Sequence, residues 1–285
     1  MAKLCNIKQG DNMGKFNVDI SRSLNKTYKS KLLARFLRAI NDYQLIKPKD
    51  KICVAMSGGK DSLVMAMLFE EYKKHYQNDI EIIYLMMNSG FRQSFLDNHF
   101  RLMERIGIDQ MTIDSKVYDV ANQMNPEAPC FLCARMRRGF LYSKAKELGC
   151  NKLALGHHFD DVIETSLLNI FYTGTFKTML PKVKSQNYEG LELIRPMYYI
   201  KEHDIINFMN HHELRVSHRG CLYQERVVDS KREEMKTLIQ QLRHTYENID
   251  INIFRSAENI NLDSVLGYIK DGKKHHYLDD YESNE

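Results

Sequence analysis

The 285-residue chain has no apolar run long enough to cross a bilayer, and the longest, near Ile82 to Met87, reads as a buried strand. Its opening residues, Met1-Ala-Lys-Leu-Cys-Asn-Ile-Lys, lack the apolar stretch of a secretory signal. A cytoplasmic protein without a membrane partner is therefore expected. There is no internal repeat and no low-complexity tract. Six cysteines in a reducing compartment do not make a disulfide framework. Because 43% of the residues are hydrophobic, a full core can be buried and wholesale disorder is excluded.

One stretch lacks acidic residues altogether. Between Arg22 and Arg38 stand Lys26, Lys29, Lys31 and Arg35, and no Asp or Glu separates them. The net charge of +4 is too small to point to a polyanion, but this stripe suits a phosphate backbone bound by counterion release. A solvated helix face accounts for it as well.

Residues 1 to about 25 read as an unpatterned leader. Residues 27–44 place Leu32, Leu33, Phe36, Leu37 and Ile40 on one face, which predicts an amphipathic helix. Strands are expected at Lys51 to Met56, Ile80 to Met87, Gln110 to Ile113 and Lys152 to Leu155. Helices are expected at Asp61 to Tyr76, Ser94 to Arg105, Cys133 to Leu148 and Asp160 to Tyr172. The stretch holding Pro126 and Pro129 reads as irregular, and a linker runs from Gly174 to Gly190. Two more helices, Lys201 to His211 and Ser230 to Tyr246, precede a frayed end from Lys274. This alternation predicts an α/β fold, a mostly parallel sheet with helices on both faces and a small helical C-terminal part. The expected organisation is a leader (1–25), a nucleotide-binding domain (26–214) and a C-terminal segment (215–285).

Two turns follow strands and open helices. Ser57-Gly58-Gly59-Lys60-Asp61-Ser62 joins flexible glycines to free helix-start N–H groups, a setting for pyrophosphate. Lys60 adds a positive charge, and the hydroxyls of Ser57 and Ser62 are expected to donate to phosphate. Asp61 would repel phosphate unless Mg²⁺ bridges the two. The spacing is not that of a Walker A loop. An ordinary glycine turn capped by Ser57 or Asp61 is the plain alternative. The second turn, Gly156-His157-His158-Phe159-Asp160-Asp161, offers carboxylates for Mg²⁺ and histidines for a phosphate, with one Asp expected to face the site while the other caps. Otherwise both carboxylates serve the helix start and the histidines are packed.

Cys53 and Cys150 are expected to pack as small hydrophobes. Cys130-Phe131-Leu132-Cys133 precedes Arg135, Arg137 and Arg138, an environment that favours thiolates. Cys130 reads as a loop residue after Pro129. With Cys221 these residues suit a zinc site completed by His218, a redox pair with a third thiol, or an iron–sulfur cluster with one open iron. Spacing leaves the three open.

SGGKDS followed by LGHHFDDVIETSLLNIFYTG resembles the PP-loop ATP pyrophosphatases, on the tRNA 2-thiocytidine synthetase branch. The similarity runs from about Lys29 through CFLCARMRRGFLYSKAKELG, FKTMLPK and IRPMYYIKEHDI, and more weakly to about Gly267. Two positions depart from it: Phe159 stands where the family often has arginine, and Leu222-Tyr223-Gln224 follows Cys221 without a second cysteine. The resemblance implies ATP and Mg²⁺ as cofactors, with Asp61 and Asp161 as Mg²⁺ ligands. It also implies a [4Fe-4S] cluster on Cys130, Cys133 and Cys221, with Zn²⁺ as the alternative there. The implied reaction is thiolation of a tRNA pyrimidine, most simply an anticodon-loop cytidine. The sulfur donor is then a cysteine desulfurase or free sulfide, and a homodimer is compatible. Lys29, Lys31, Arg35, Arg38, Arg135, Arg137, Arg138, Lys177, Lys182 and Lys184 are candidates for RNA contact. Rival readings are uridine thiolation, amide or lysine ligation by the same adenylation chemistry, and a non-catalytic RNA-binding or metal-sensing protein. Ligation leaves the three cysteines unexplained.

Overall fold

The computed structural model describes residues 16–76, 79–127, 129–217, 230–279 and 281. They belong to two compact units, Met1–Val162 with Met179–Ser230, and Ile163–Thr178 with Lys231–Glu285.

The first unit is organised by six strands: β1 (Lys51–Met56), β2 (Glu81–Asn88), β3 (Met111–Asp114), β4 (Lys152–Ala154), β5 (Lys182–Lys184) and β6 (Glu192–Ile194). Their order across the sheet is β3-β2-β1-β4-β6-β5, and every neighbouring pair is parallel except β5 with β6. In β1, Ile52, Cys53 and Val54 are fully buried, the pattern of a central strand covered on both faces. As expected, Cys53 and Cys150 pack as apolar groups, with Leu85, Ala145, Leu153 and Leu191.

The crossovers are helical: α3 (Lys60–His75) after β1, α4 (Gln93–Ile106) after β2, then α5 (Val117–Met124) and α6 (Pro129–Glu147) before β4. α3 is apolar almost all round, with every residue from Leu63 to Phe69 buried, so it belongs in the core rather than at its rim. Ahead of the sheet lie α1 (Val18–Asn25) and α2 (Ala34–Asp42), joined through a π-helical turn at Lys29–Leu33. The wider turn brings Leu32, Leu33 and Phe36 all to zero exposure, and the Phe36 ring meets Phe69 edge-on at 5.2 Å. Burying each such aromatic contributes roughly 1.5–3 kcal/mol.

Several expectations are corrected here. The end of the supposed leader is α1, because Asn17 Oδ1 accepts the N–H groups of Asp19 and Ile20, and Ile20 and Leu24 are buried. The irregular stretch contains α5, and α6 begins at Pro129, a residue that suits a first helical turn. Cys130 is thus helical rather than in a loop. The linker contains β5. α7 (Phe159–Thr173) and α8 (Glu202–His211) fall close to where the sequence puts them.

The second unit holds α7 from Ile163 onward, α9 (Ser230–Thr245) from Lys231 onward, α10 (Ile249–Ser256) and a hairpin of β7 (Gly267–Lys270) and β8 (Lys273–His276). Among its ion pairs are Arg232 with Glu164 at 3.0 Å and Arg243 with Asp250 at 3.2 Å. The hairpin turns through Asp271 and Gly272 at positive φ; of the expected frayed end, residues 274–276 belong to it and Tyr277–Asp279 form a 3-10 turn. Among the described residues no helix is long and apolar enough to cross a membrane.

Candidate active site

The chain leaves β1 towards β2 and β3, then returns as β4 on the other side of β1. Ligands in open α/β sheets bind outside the carboxyl ends of strands at such a switch point. Both glycine turns emerge there, one from β1 and the other from β4.

The first turn is closed by its own hydroxyls. Ser57 Oγ donates to Ser62 Oγ (3.1 Å), Ser62 Oγ donates to Gly59 O (3.0 Å), and Gly59 N donates to Ser57 Oγ (3.2 Å). Each hydroxyl has one proton, and both are used within this ring. In this arrangement the two serines shape the turn. Gly58 has φ +78°, and a Cβ there would stand 2.5 Å from Phe95 Cζ, so only glycine fits. Gly59 is the N-cap of α3 and supplies no side-chain cap, so the first N–H groups of that helix are uncapped by a side chain, as an anion site requires.

Lys60 Nζ lies 3.1 Å from Asp61 Oδ1 and 3.0 Å from Glu202 Oε1. Burial works against its charge, but the two carboxylates outweigh it and hold its pKa above the usual lysine value. Asp61 Oδ1 is buried and makes no aligned hydrogen bond; Lys60 reaches it only as an ion pair. A buried carboxylate oxygen without an aligned donor fits a divalent cation. Among the described residues no three His, Cys, Asp or Glu side chains form a metal cage.

The second turn presses on the first. A Cβ on Gly156 would stand 3.3 Å from both the Asp61 carbonyl carbon and Ser62 N. His158 is buried, with Nε2 3.7 Å from Asp61 Oδ1 and Nδ1 3.5 Å from Asp161 Oδ2. Asp161 Oδ2 also accepts the His158 N–H at 2.9 Å. Asp160 turns the other way and accepts the Glu202 N–H at 2.7 Å, so it caps α8. His157 Nδ1 accepts a hydrogen bond from Arg195 Nε at 3.3 Å. Phe159, the departure from the family pattern, is buried beneath the Lys201 ammonium, 5.7 Å from its ring centre.

α6 reaches the same end of the sheet. Arg137, one turn beyond Cys133, lies 6.0 Å over the Phe91 ring, Phe91 packs on Phe95 at 4.9 Å, and Phe95 covers Gly58. Ala134, Arg137, Arg138, Leu141 and Tyr142 line a pocket of about 200 Å³ with Leu153 and Leu155, next to the Gly156 turn. Cys133 is a partly exposed thiol outside any disulfide, and the first turn of α6 carries no acidic residue. That chemistry fits a thiolate ligand. Cys221 and His218 lie outside the described residues.

Of the basic stripe, Lys29 and Lys31 are exposed, whereas Arg35 is paired with buried Asp204 at 2.9 Å and Arg38 with Asp42 at 3.1 Å. Arg135 and Arg138 are exposed. Lys182 Nζ reaches Glu192 at 3.4 Å. Two residues were not singled out from sequence: Glu202, the second partner of Lys60, and Arg195, the partner of His157. Neither has a spacing signal, because each meets its partner only through the folded sheet.

Residues 20–218 match the model of the PP-loop domain family. The tRNA-cytidine(32) 2-sulfurtransferase of Syntrophotalea carbinolica is 38% identical over 233 residues, 78% of this chain and 86% of the relative. That of Geobacter sulfurreducens is 34% identical over 78% of this chain and 87% of the relative. The solved U34-tRNA thiolase NcsA from Methanococcus maripaludis, with its [4Fe-4S] cluster, superposes with a TM-score of 0.67 at 26% identity, covering 85% of this chain and 81% of that one. With two linked glycine turns at the switch point of its sheet, this chain belongs to the PP-loop family, on the branch of the tRNA-cytidine 2-sulfurtransferases.

Proposed function

We propose that the protein is an ATP-dependent tRNA thiolase that converts an anticodon-loop cytidine to 2-thiocytidine. The observation that carries this reading is the packing path from Gly58 through Phe95 and Phe91 to Arg137, which links the phosphate turn to the helix of Cys130 and Cys133.

The C2 oxygen of a pyrimidine leaves poorly. Its attack on the α-phosphorus of ATP releases pyrophosphate and makes AMP the leaving group. The α3 N–H groups and Lys60 hold the phosphates and oppose the charge that develops on them. Asp61 and Asp161 hold Mg²⁺, which adds further charge neutralisation. Cys130, Cys133 and Cys221 would hold a [4Fe-4S] cluster, which would supply the sulfur chemistry at C2, with AMP as the leaving group. The sulfur arrives as sulfide or from a cysteine desulfurase. Arg137 and Arg138, beside the pocket on α6, guide the base. Lys29, Lys31, Arg38 and Arg135 contact the tRNA backbone, with Arg35 committed to Asp204. A loop base is reachable because it is not locked in a duplex.

Nucleoside mass spectrometry of tRNA from a strain lacking the protein tests the reading. Wild type should restore 2-thiocytidine, and Cys221→Ala should not. Full restoration by Cys221→Ala would end the cluster-based reading, and restoration of 2-thiouridine would move the substrate to uridine.

A further inference from the structure

We propose that Arg195 is a positioning residue that locks His157 as a neutral imidazole able to offer a proton from Nε2 alone. Arg195 directly follows β6, and its backbone N–H donates to Pro181 O at 2.9 Å. Its guanidinium donates to Leu180 O and, through Nε, to His157 Nδ1 at 3.3 Å. The side chain is thereby held from both sides.

A guanidinium has five donors and no acceptor, so the nitrogen facing it must carry a lone pair. His157 Nδ1 is that nitrogen. The arginine charge also opposes a second proton on the ring. Burial lowers the Arg195 pKa and Arg138 acts in the same direction, while Tyr142, Tyr198 and Asp161 raise it. A guanidinium begins so high that it stays charged through this. Any proton His157 contributes therefore comes from Nε2, and Nδ1 is closed as a base.

His157 lies between Gly156, where an added Cβ would meet the backbone of Asp61 and Ser62, and His158, which faces Asp61. A neutral donor there polarises a phosphate oxygen without exchanging its proton. That use of His157 rests on the nucleotide reading of the site, whereas its tautomer does not.

Long-range ¹H–¹⁵N spectra of the full-length protein, labelled at histidine and assigned with His157→Gln, read the tautomer directly. Nδ1 should be unprotonated and Nε2 protonated, unchanged from about pH 6 to about pH 8, across the usual histidine range. Arg195→Lys should keep that pattern, and Arg195→Met should mix the tautomers and let the ring titrate. Arg195→Met should also lower kcat for ATP-to-AMP turnover about tenfold to a hundredfold, the scale of losing a group that orients a ligand. The double variant with His157→Gln should be no slower than the worse single one. A protonated Nδ1 in the wild type overturns the inference without any variant, as do losses that add in full. The expected tautomer in a protein that thiolates no tRNA would keep the inference and end the functional reading.

Discussion

Between Ser57 and Ser62 two hydroxyls and an amide close a ring of hydrogen bonds, with Gly58 sealed beneath Phe95. At the start of α6, by contrast, Phe131 is 78% exposed, as is 68% of Met124 in the preceding helix. The ring of the first region closes within six consecutive residues. The second has chemistry but little local packing, and its third proposed ligand comes from far along the chain. An anion site can be made by backbone geometry alone, because helix-start N–H groups need only a turn that exposes them. A polynuclear site needs ligands from separate segments, so its assembly is coupled to metal binding.

The largest expected effect tests whether the two regions are separable. Asp61→Asn should lower ATP-to-AMP turnover by about a hundredfold to a thousandfold, the scale of losing one preorganised charge partner. Cys133→Ser should abolish thiolation yet leave ATP affinity, measured by calorimetry, within about twofold, since it removes no phosphate contact. Loss of ATP binding in Cys133→Ser would make the two regions one.

Gly156→Ala probes the contact between the turns. Its Cβ would meet Asp61 and Ser62 backbone at 3.3 Å, and backbone cannot swing aside as a side chain can. A destabilisation of about 1–3 kcal/mol in urea melts is expected, together with a raised KM for ATP. An unchanged KM would show that the turns act independently.

The smallest effect lies away from both regions. His99 is buried against Gln110, with Nε2 2.9 Å from Oε1, and burial holds its pKa below the usual histidine value despite that bond. The unfolded chain then binds the proton more readily. Its contribution is fully present above about pH 6.5 and is lost as the pH falls from there through the folded value. His99→Asn should flatten the acid-side fall of the urea midpoint. Some slope should remain from His212, whose pKa is lowered by burial, then by His211 and Arg105. An identical slope in the variant would clear His99 of this role.

The parts legible in sequence were those with long periodic signals. β1, β2, α3 and α4 lie within a residue or so of expectation, and the two glycine turns announce themselves by strand–turn–helix context. β5 and β6 are three residues each, too short for an alternation to show. The β7–β8 hairpin carries Lys273-Lys274-His275-His276 where a strand normally alternates apolar residues. Pro129 hid a helix start because proline marks loops and first turns alike. Arg195 and Glu202 were unreadable for another reason: their roles exist only once β6 and α8 lie beside the turns after β4 and β1.

Lys60 already keeps company with two carboxylates, those of Asp61 and Glu202. An arriving triphosphate has to draw the ammonium away from at least one of them. The acid left behind is then short of a positive neighbour in a half-buried setting, and a divalent cation is the natural replacement. On the proposed reading, anion and cation entry should favour each other by the same amount. The pocket would then exchange partners as it fills, with neither ion reaching its full affinity by itself.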